Sequence, residues 1–472
     1  MSTEIEQQEE LQNRQLEESI LQMAGHNEYA RLARKLEGMN PAAAALTLEV
    51  LPPEKQIMAF RSLPKDSAAA IFTFLDSELR LHIVKYFSES TNKSLREDIQ
   101  RMVAEMPADD AADFIEEMKE GEFPANLVEA ILSSINQARR DEINGILKYP
   151  DGSAGSIMTL EYIMLREDLT LGDAMTQIRQ QGMRKETIYN CYAVADGRRI
   201  VGAVSLKDII LGAPTLQIRD IMKTPVIYAH TQDDQETVAQ KVKDYDLLAI
   251  PVVDNDTRLV GIITVDDIMD VVEEENTEDF EKMAMLRPAE DEYLKTNVLE
   301  MARNRIFWLL LLMVSATLTG AIIMRFSHVL ASQVVLASFI PMLMDLGGNC
   351  GAQSSTLIIR GMAVGEIELT DWLQVIWKEL CVGGMVAAAL CLVNWLRMLL
   401  FVPELSARAN LAVNATLFLT VCFSKLLGAA LPMMARKAGR DPAMVSSPLL
   451  TTVIDSVCLL LYFWIASMLL PG

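Results

Sequence analysis

The amino-acid sequence predicts a multidomain protein with an all-α superhelical N-terminal domain, an α/β domain pair and a polytopic α-helical membrane domain. The chain of 472 residues has a formal net charge of −22, yet 51% of its residues are hydrophobic. The long hydrophobic runs all lie beyond about residue 305, and most of the acids lie before it. The sequence therefore indicates an acidic soluble half followed by a membrane half.

Three further features narrow the class of protein. The first ten residues are polar and acidic and carry no apolar core of a secretory signal, so we expect the soluble half to lie in the cytoplasm. The six cysteines form no C-x-x-C pair, which favours small core residues over a disulfide or zinc framework. The four histidines are scattered, and there is no nucleophile–base or phosphate-binding motif, so we expect neither an enzyme nor a nucleic-acid partner.

Residues 1–148 predict a stack of short helices that forms a cytosolic superhelical domain. Apolar residues recur at helical spacing, and phrases such as Leu63-Pro64-Lys65-Asp66 place a proline at a helix start with an acid in its first turn. Asp109, Asp110 and Asp113 crowd one such start. Solvated acids at a helix N-terminus and ligands of a cation are both open interpretations of this group.

Residues 149–272 alternate short Val/Ile runs with amphipathic helices, and the pattern occurs twice. The first copy begins at Ser156–Thr159 and has a strand at Cys191–Ala195, and the second begins at Asp220–Thr224 and has a strand at Ala249–Val253. This doubled β-α-β order resembles a tandem pair of CBS domains. In that family the Ser/Thr-x-x-Asp after the glycine strand often holds a nucleotide, which implies Ser205 with Asp208 and Thr264 with Asp267. A capped helix start is the alternative interpretation.

An acidic segment follows the second copy. As a helix, it places five acids on one face, and such a face repels itself unless a cation or a basic partner neutralises it. The five acids are Asp267, Asp270, Glu274, Glu278 and Glu281. Carboxylates are the ligands of hard divalent cations such as Mg2+, whereas a solubilising acidic linker would carry the same composition.

Five apolar segments, each long enough to span a membrane, make up a transmembrane domain of residues 303–472. Basic residues flank these segments mostly on one side, which places the N-terminal half inside and the C-terminus outside. Five is an odd number of spans for one pore, so we expect a homodimer with a shared path. The approximate limits of the segments are 306–324, 329–357, 371–400, 409–435 and 443–470.

Two membrane segments carry polar residues that need an explanation. Asp455 lies near the middle of the last span, where a carboxylate must face a wet path, a counter-charge or an ion. In the second span, Pro341 and three glycines accompany Asn349 and Gln353. We expect these residues to break or thin the helix beside a polar cavity. Close helix packing explains the glycines but not the two amides.

The order of these parts, with Gly347-Gly348-Asn349-x-Gly351-x-Gln353 and with Asp441-Pro442-Ala443 ahead of Asp455, resembles the MgtE family of magnesium channels. The resemblance implies a homodimer in which two Asp455 carboxylates meet at the pore axis and bind hydrated Mg2+. It also implies that residues 268–297 form a connecting helix that acts as a gating plug. The CBS pair of that family can also hold ATP.

By the same resemblance, carboxylates of the soluble half sense cytosolic Mg2+. The implied metal-binding residues are Asp109, Asp110, Asp113, Asp234, Glu236, Asp246, Asp267, Asp270, Glu275, Glu278 and Asp279, with Asp441 near the inner pore mouth and Asp455 in the pore. The sequence departs from the family at four membrane positions, which carry Ser447, Thr451, Asp345 and Lys425. Ser447 and Thr451 could still orient the waters of a hydrated ion, and Asp345 and Lys425 are expected to form a buried pair.

The leading hypothesis is a Mg2+ channel of the cytoplasmic (inner) membrane that takes up Mg2+ and is closed by cytosolic Mg2+. A second hypothesis assigns the same fold to a carrier of other divalent cations, such as Co2+ or Mn2+, or to an ion-coupled transporter that uses Asp345, Lys425 and Asp455. A third hypothesis is a membrane-anchored nucleotide sensor without transport. The partners expected are a second copy of the chain, membrane lipid, Mg2+ and an adenine nucleotide.

Overall fold

The structure is a computed structural model that describes residues 18–89, 93–121, 123–286, 296–402, 406–445 and 447–470. The chain divides into two compact units, with the boundary between Val272 and Glu273. The first unit contains the helical domain and an α/β pair, and the second contains five long apolar helices. The predicted fold class is confirmed.

The helical domain is a succession of short helices. They are α1 (18–25), α2 (Tyr29–Glu37), α3 (Pro41–Glu49), α4 (Pro53–Arg61), α5 (Lys65–Thr73), α6 (Ser77–Glu89), α7 (Lys93–Glu105), α8 (Ala108–Glu120), α9 (Ala125–Ser134) and α10 (Gln137–Ile146). Prolines stand at the predicted starts, with Pro52, Pro64 and Pro107 capping α4, α5 and α8. Proline is favoured there because the first helical turn needs no donor from it.

A continuous apolar core joins these helices. Phe72 of α5 and Phe114 of α8 meet edge to face with ring centroids 5.5 Å apart, and both side chains are fully buried. Because α8 is fixed in this core on its apolar face, its acidic first turns are held in a defined place.

The α/β pair contains two three-stranded sheets of the same construction. In each sheet the first strand is parallel to the second, and the second is antiparallel to the third. The strands are β1 (Ile163–Arg166), β2 (Asn190–Val194), β3 (Ile200–Ser205), β4 (Ala229–His230), β5 (Ala249–Val253) and β6 (Leu259–Thr264). The helices are α11 (Leu171–Gln181), α12 (Leu206–Leu211), α13 (Ile218–Ile221), α14 (Gln235–Asp244) and α15 (Val265–Met283).

The two halves exchange their leading segments, which corrects the predicted assignment. Thr159, expected in the first half, pairs with Ile262 of the second sheet through two backbone hydrogen bonds of 2.8 and 3.0 Å. Lys223, expected in the second half, pairs in the same way with Ala203 of the first sheet, at 2.9 and 3.2 Å. The sequence could not reveal this exchange because both copies carry equivalent strands.

The connecting helix α15 is shorter than predicted. It ends at Met283, and Met285 adopts a positive φ of 57°, a left-handed conformation that stops a helix. The helix predicted over residues 268–297 is therefore interrupted after Met283, because residues 284–286 are not helical. Its residues 287–295 lie outside the described part of the chain.

Among the residues that the structure describes, the second unit contains five helices that are long and apolar enough to cross a membrane. The long helices are α16 (Val298–Arg325), α18 (Ile340–Ala363), α19 (Trp372–Phe401), α20 (Ala407–Lys437) and α21 (Ser447–Leu469), and the short helix α17 (Ser327–Ser332) precedes α18. The second span was predicted from residue 329, but α17 and a 3₁₀ stretch, Val334–Phe339, occupy the residues before α18.

The predicted break of the second span is also wrong, because α18 is continuous from Ile340 to Ala363. Pro341 lies in its first turn, where it interrupts no hydrogen bond. The glycines allow close packing instead. A Cβ on Gly351 would collide with Ile454 of α21, and a Cβ on Gly428 of α20 would collide with the carbonyl oxygen of Gly351. Such small-residue contacts bring membrane helices together.

Candidate functional site

Asp455 lies at membrane depth on α21 and is half-buried within the chain. Its neighbours Ile454 and Ser456 are both buried, and Ile454 packs against α18, so the backbone of α21 is fixed on both sides of the carboxylate. Asp345 lies on α18, the helix that packs against Thr451 and Ile454 of α21 through Gly347 and Gly348. Two acids of one chain therefore share a place at which lipid cannot stabilise either charge.

A polar stripe runs along the exposed face of α18 next to this pair. We define the polar stripe as Asp345, Asn349, Gln353, Thr356 and Arg360, all of which are exposed within the chain. Their spacing of three and four residues places them on one side of the helix. Asn349 donates a hydrogen bond from Nδ2 to Oδ1 of Asp345 at 3.0 Å. Such a face requires water or another protein surface, because neither the carboxylate nor the amides are tolerated in hydrocarbon.

The remaining predicted pore residues lie around this stripe. Pro341 is exposed one turn before Asp345. The methyl group of Thr451 lies 2.9 Å from the position that a Cβ on Gly348 would take, and its hydroxyl donates to the carbonyl of Pro448 at 2.9 Å. Ser447 is the first residue of α21, and its side chain lies outside the described part of the structure.

The predicted buried pair of Asp345 and Lys425 is wrong. Lys425 is only 5% exposed and packs its stem 3.5 Å from the position of a Cβ on Gly383, between α19 and α20. Asp345 instead lies on the exposed face of α18, and among the described residues no ion pair joins the two side chains. A carboxylate that the sequence analysis missed, Glu379, accepts a hydrogen bond from the buried hydroxyl of Ser354 at 2.5 Å.

A second polar group lies where α15 meets the loop before α21. We define the inner-mouth cluster as Asp441, Lys282, Glu278 and Asp279. Lys282 Nζ donates to Oδ2 of Asp441 at 2.7 Å and to Oε1 of Glu278 at 2.8 Å. The other oxygen of Asp441, Oδ1, accepts from the backbone N–H of Ala443 at 2.8 Å and caps the 3₁₀ turn there.

The charges of the inner-mouth cluster are strongly linked. Burial works against the charge of Lys282, but hydrogen bonds to Asp441 and Glu278 raise its pKa above the ordinary value. Burial and the charge of Asp441 raise the pKa of Asp279. Six residues before Lys282 on α15, Asn276 accepts a hydrogen bond from Arg360 of α18 at 3.2 Å.

The third acidic group lies inside the first unit, between α8 and the α/β pair. We define the α8 acid cluster as Asp109, Asp110, Asp113, Glu161, Glu186 and Asp267, whose charges help to raise the pKa values of Asp109, Asp110, Asp113 and Glu186. Burial and then the charge of Asp110 raise the pKa of Asp109 to about 8 and that of Asp113 to about 7. Burial also raises the pKa of Asp110, of Asp267 and of Glu186.

Only part of the negative charge of the α8 acid cluster is compensated by basic side chains. Arg139 pairs with Glu161 at 3.2 Å. The charge of Arg80 offsets part of the rise in the pKa of Asp110, but its guanidinium also forms an ion pair with Glu117 at 2.5 Å. Oδ1 of Asp109 is buried and accepts no hydrogen bond in the structure. A buried carboxylate oxygen without a donor is costly, and a hard divalent cation is the kind of group that would satisfy it.

The other predicted acids are dispersed. Asp234, Glu236, Asp246 and Asp270 are exposed on the α/β pair, and Asp234 caps α14 by accepting from the backbone of Glu236 at 3.0 Å. Glu275 is half-buried on α15. Within the described ranges, no group of three or more His, Cys, Asp or Glu side chains is close enough together to hold a metal ion directly.

The two predicted nucleotide motifs have the geometry of helix caps. The hydroxyl of Ser205 donates to Asp208 at 2.7 Å and accepts from the backbone N–H of Asp208 at 3.1 Å. Thr264 and Asp267 repeat the contact at 2.5 Å. These hydrogen bonds support the capped-helix interpretation, and nucleotide binding at these residues stays a prediction.

Comparisons with known proteins agree with this architecture. A family described as a divalent cation transporter matches residues 340–465, the MgtE intracellular N domain matches residues 39–152, and the CBS domain matches 154–212 and 218–274. The magnesium transporter MgtE of Thermus thermophilus is 33% identical over 93% of this chain and 95% of its own length. The corresponding protein of Bacillus subtilis is 35% identical over 71% of this chain and 74% of its own length.

A solved structure, the cytosolic domain of the Mg2+ channel MgtE in complex with ATP, is 30% identical and covers 53% of this chain and 98% of that domain, with a TM-score of 0.48. Five apolar helices, a soluble N-terminal half and the matched domains define the class as a polytopic membrane transporter with CBS domains. The chain belongs to the MgtE family of magnesium transporters. Its membership agrees with the expectation that it is not an enzyme.

Proposed function

We propose that this protein is a Mg2+ channel that takes up Mg2+ across the cytoplasmic (inner) membrane as a homodimer and is closed by cytosolic Mg2+. The observation that carries the proposal is the polar stripe of α18 beside Asp455, which stays exposed within the chain at membrane depth. The named relatives are magnesium transporters, which favours Mg2+ as the conducted ion.

The polar stripe supports a path that two copies of the chain share. In such a dimer the stripes would face each other across water, and two Asp455 carboxylates would supply the charge that a divalent cation requires. Mg2+ holds its waters tightly, so a wide polar path suits the hydrated ion better than a closed cage of protein ligands. Asn349, Gln353 and Thr451 would contact those waters, with Pro341 and Ser447 near the two ends.

The α/β pair supports the dimer independently. Ile209 and Ile268 occupy equivalent places after the two sheets and are buried, whereas the next residues, Ile210 and Met269, are 59% and 68% exposed. Tyr245 at the end of α14 is 57% exposed. Large apolar side chains exposed at equivalent positions of both halves fit a surface that a second copy covers.

The α8 acid cluster supports the gating. Its burial and mutual repulsion oppose full ionisation, and a divalent cation would neutralise several acids at once. Mg2+ would therefore favour the compact arrangement of this unit, and its loss would let the acids separate. The dispersed acids Asp234, Glu236, Asp246, Asp270 and Glu275 remain candidates for Mg2+ sites that a second copy completes.

The membrane orientation follows from the basic residues near the helix ends. We place the soluble half in the cytoplasm and the C-terminus outside, which puts the inner-mouth cluster on the cytoplasmic side. An adenine nucleotide at the CBS pair remains a candidate regulator, with Ser205, Asp208, Thr264 and Asp267 as its candidate contacts. An inside-negative membrane potential would drive Mg2+ inward.

The test is Mg2+ flux into proteoliposomes containing the full-length protein. Asp455→Ala is expected to reduce flux at least tenfold, because a pore without its carboxylates loses its attraction for a divalent cation. Glu366→Ala, which removes an exposed acid of the loop after α18, is the matched control and should leave flux unchanged. Undiminished flux in Asp455→Ala would contradict the proposed pore.

A second candidate function, ion-coupled transport, rests on a different observation. Lys425 and Glu379 are ionisable groups inside the membrane helices and lie away from the polar stripe, and such groups often serve proton or ion coupling. A coupled transporter would carry Mg2+ faster when a proton or sodium gradient is imposed. A channel would follow the electrochemical gradient of Mg2+ alone.

A further inference from the structure

We infer that Lys282 is a built-in cation that holds α15 at the inner mouth, so that part of the closed state forms without Mg2+. This inference rests on the proposed function, because it assigns a regulatory role within the gate described above.

The geometry places the ammonium group between acids of two different elements. Nζ of Lys282 lies 2.7 Å from Asp441 in the loop before α21 and 2.8 Å from Glu278 one turn back on α15. The side chains of Lys282 and Asp441 are only 26% and 32% exposed. Bonds of this length between full charges that are partly shielded from water are among the stronger polar contacts.

The charge balance explains why a tethered lysine would matter. Asp441, Glu278 and Asp279 carry three potential negative charges, and the charge of Asp441 already acts on Asp279. Without Lys282 these acids would repel one another and push α15 away from the mouth. One lysine offsets only one of the three charges, so a divalent cation still has acids left to neutralise.

A second contact supports a docked position for this part of α15. Arg360, the cytoplasmic end of the polar stripe, donates to Asn276 at 3.2 Å, and this hydrogen bond also uses no metal. Asn276 and Lys282 lie six residues apart, so the two contacts hold almost two turns of the helix. The gate is thus closed in two stages, first by side chains of the chain and then by Mg2+.

The experiment compares full-length wild type, Lys282→Gln and Lys282→Arg in proteoliposomes with chelator inside. Lys437→Gln is the matched control, because it removes the same charge from an exposed position at the cytoplasmic end of α20. Two quantities are measured, the Mg2+ flux and the hydrogen–deuterium exchange of residues 265–283. Exchange reports release of the helix without depending on transport.

We expect Lys282→Gln to raise flux at low internal Mg2+ by roughly fivefold, the effect of losing a partly exposed ion pair. Exchange of residues 265–283 should accelerate in parallel, and internal Mg2+ should still close the variant. Lys282→Arg, which keeps the charge, should resemble wild type, as should Lys437→Gln.

Three outcomes would overturn the inference. The first is unchanged flux and exchange in Lys282→Gln at low Mg2+, and the second is higher flux without faster exchange. The third is an equal effect of Lys437→Gln. If the wild type itself carried no Mg2+ flux, the proposed function would fail as a whole, and this result is distinct from all three.

Discussion

The α8 acid cluster and the inner-mouth cluster consist of the same residue types but differ in what neutralises them. At the inner mouth, Lys282 reaches two acids directly. In the α8 acid cluster, Arg139 pairs with Glu161 and Arg80 is shared with Glu117, but Oδ1 of Asp109 accepts no hydrogen bond. The lysine of the inner-mouth cluster thus joins acids of two elements, whereas the α8 acid cluster keeps a buried carboxylate oxygen without a donor.

The largest expected effect comes from removing the orphaned acid of the α8 acid cluster. Asp109→Asn should raise the internal Mg2+ concentration that halves flux by roughly tenfold, because a hydrogen bond or ligand contact to a charged group contributes about 1.5–3 kcal/mol. Flux measured against internal Mg2+ checks this. Asp66→Asn, an acid in the first turn of α5, is the control. If internal Mg2+ inhibited Asp109→Asn as strongly as the wild type, Asp109 would not be part of the Mg2+ sensor, and the proposed difference between the two clusters would be contradicted.

The second prediction concerns pH. The pKa of Asp109 is raised to about 8 and that of Asp113 to about 7, from an ordinary value of 3.8. A raised pKa means that the folded state favours the protonated acid, so this stability is present below about pH 4 and is lost as the pH rises toward 8.

Calorimetry of the metal-free protein should therefore show the unfolding temperature of the soluble unit falling between pH 5 and pH 8. Added Mg2+ should reduce that fall, because the bound cation favours the ionised acids. The slope should also be smaller in Asp109→Asn. A soluble unit that became more stable over this pH range would contradict the assigned pKa directions.

A smaller effect is expected in the membrane domain, where Asp345 and Asp455 form a third acidic group to compare with the two clusters. Asp345→Asn should raise the external Mg2+ concentration for half-maximal flux by roughly fivefold. The reason is that a carboxylate in water attracts a nearby cation by about 1 kcal/mol at contact distance, so its loss weakens Mg2+ binding by that amount. The control is Glu366→Ala, which removes an exposed acid of the loop after α18. An unchanged concentration dependence would mean that Asp345 does not face the ion path.

The smallest expected effect lies in the caps of the α/β pair. Ser205→Ala should destabilise the soluble unit by about 1 kcal/mol, the usual contribution of an N-cap, and leave inhibition by Mg2+ intact. Thermal unfolding with and without ATP measures this. If ATP stabilised the wild type but not Ser205→Ala, the hydroxyl would contact the nucleotide as well as cap the helix.

The elements that the sequence predicted well are those determined by local spacing. The helix starts at Pro64 and Pro107 and the strand Ala249–Val253 follow from proline chemistry and an apolar run. The continuous α18 was not predicted, because its glycines break a helix in water but are tolerated where neighbouring helices pack against them. The end of α15 at Met283 was not predicted, because it depends on a left-handed conformation of Met285, and methionine rarely adopts that conformation.

The candidate site shows the same division. Asp455 and Asn349 could be named from sequence because a polar residue inside an apolar segment is conspicuous. Glu186 and Glu161 could not, because acids in polar loops are ordinary and only the fold brings them near Asp109 and Asp110. The predicted pairing of Asp345 with Lys425 was wrong for a related reason, since opposite charges at similar depth need not face each other.

The exchange of leading segments makes the two copies of the α/β pair one structural unit. Thr159 completes the sheet of the second half, and Lys223 completes that of the first. A copy excised alone would lose one edge of its sheet and expose unpaired backbone groups. The smallest portion that could be transplanted into another protein, or deleted from this one, without leaving an open edge is therefore the two copies together.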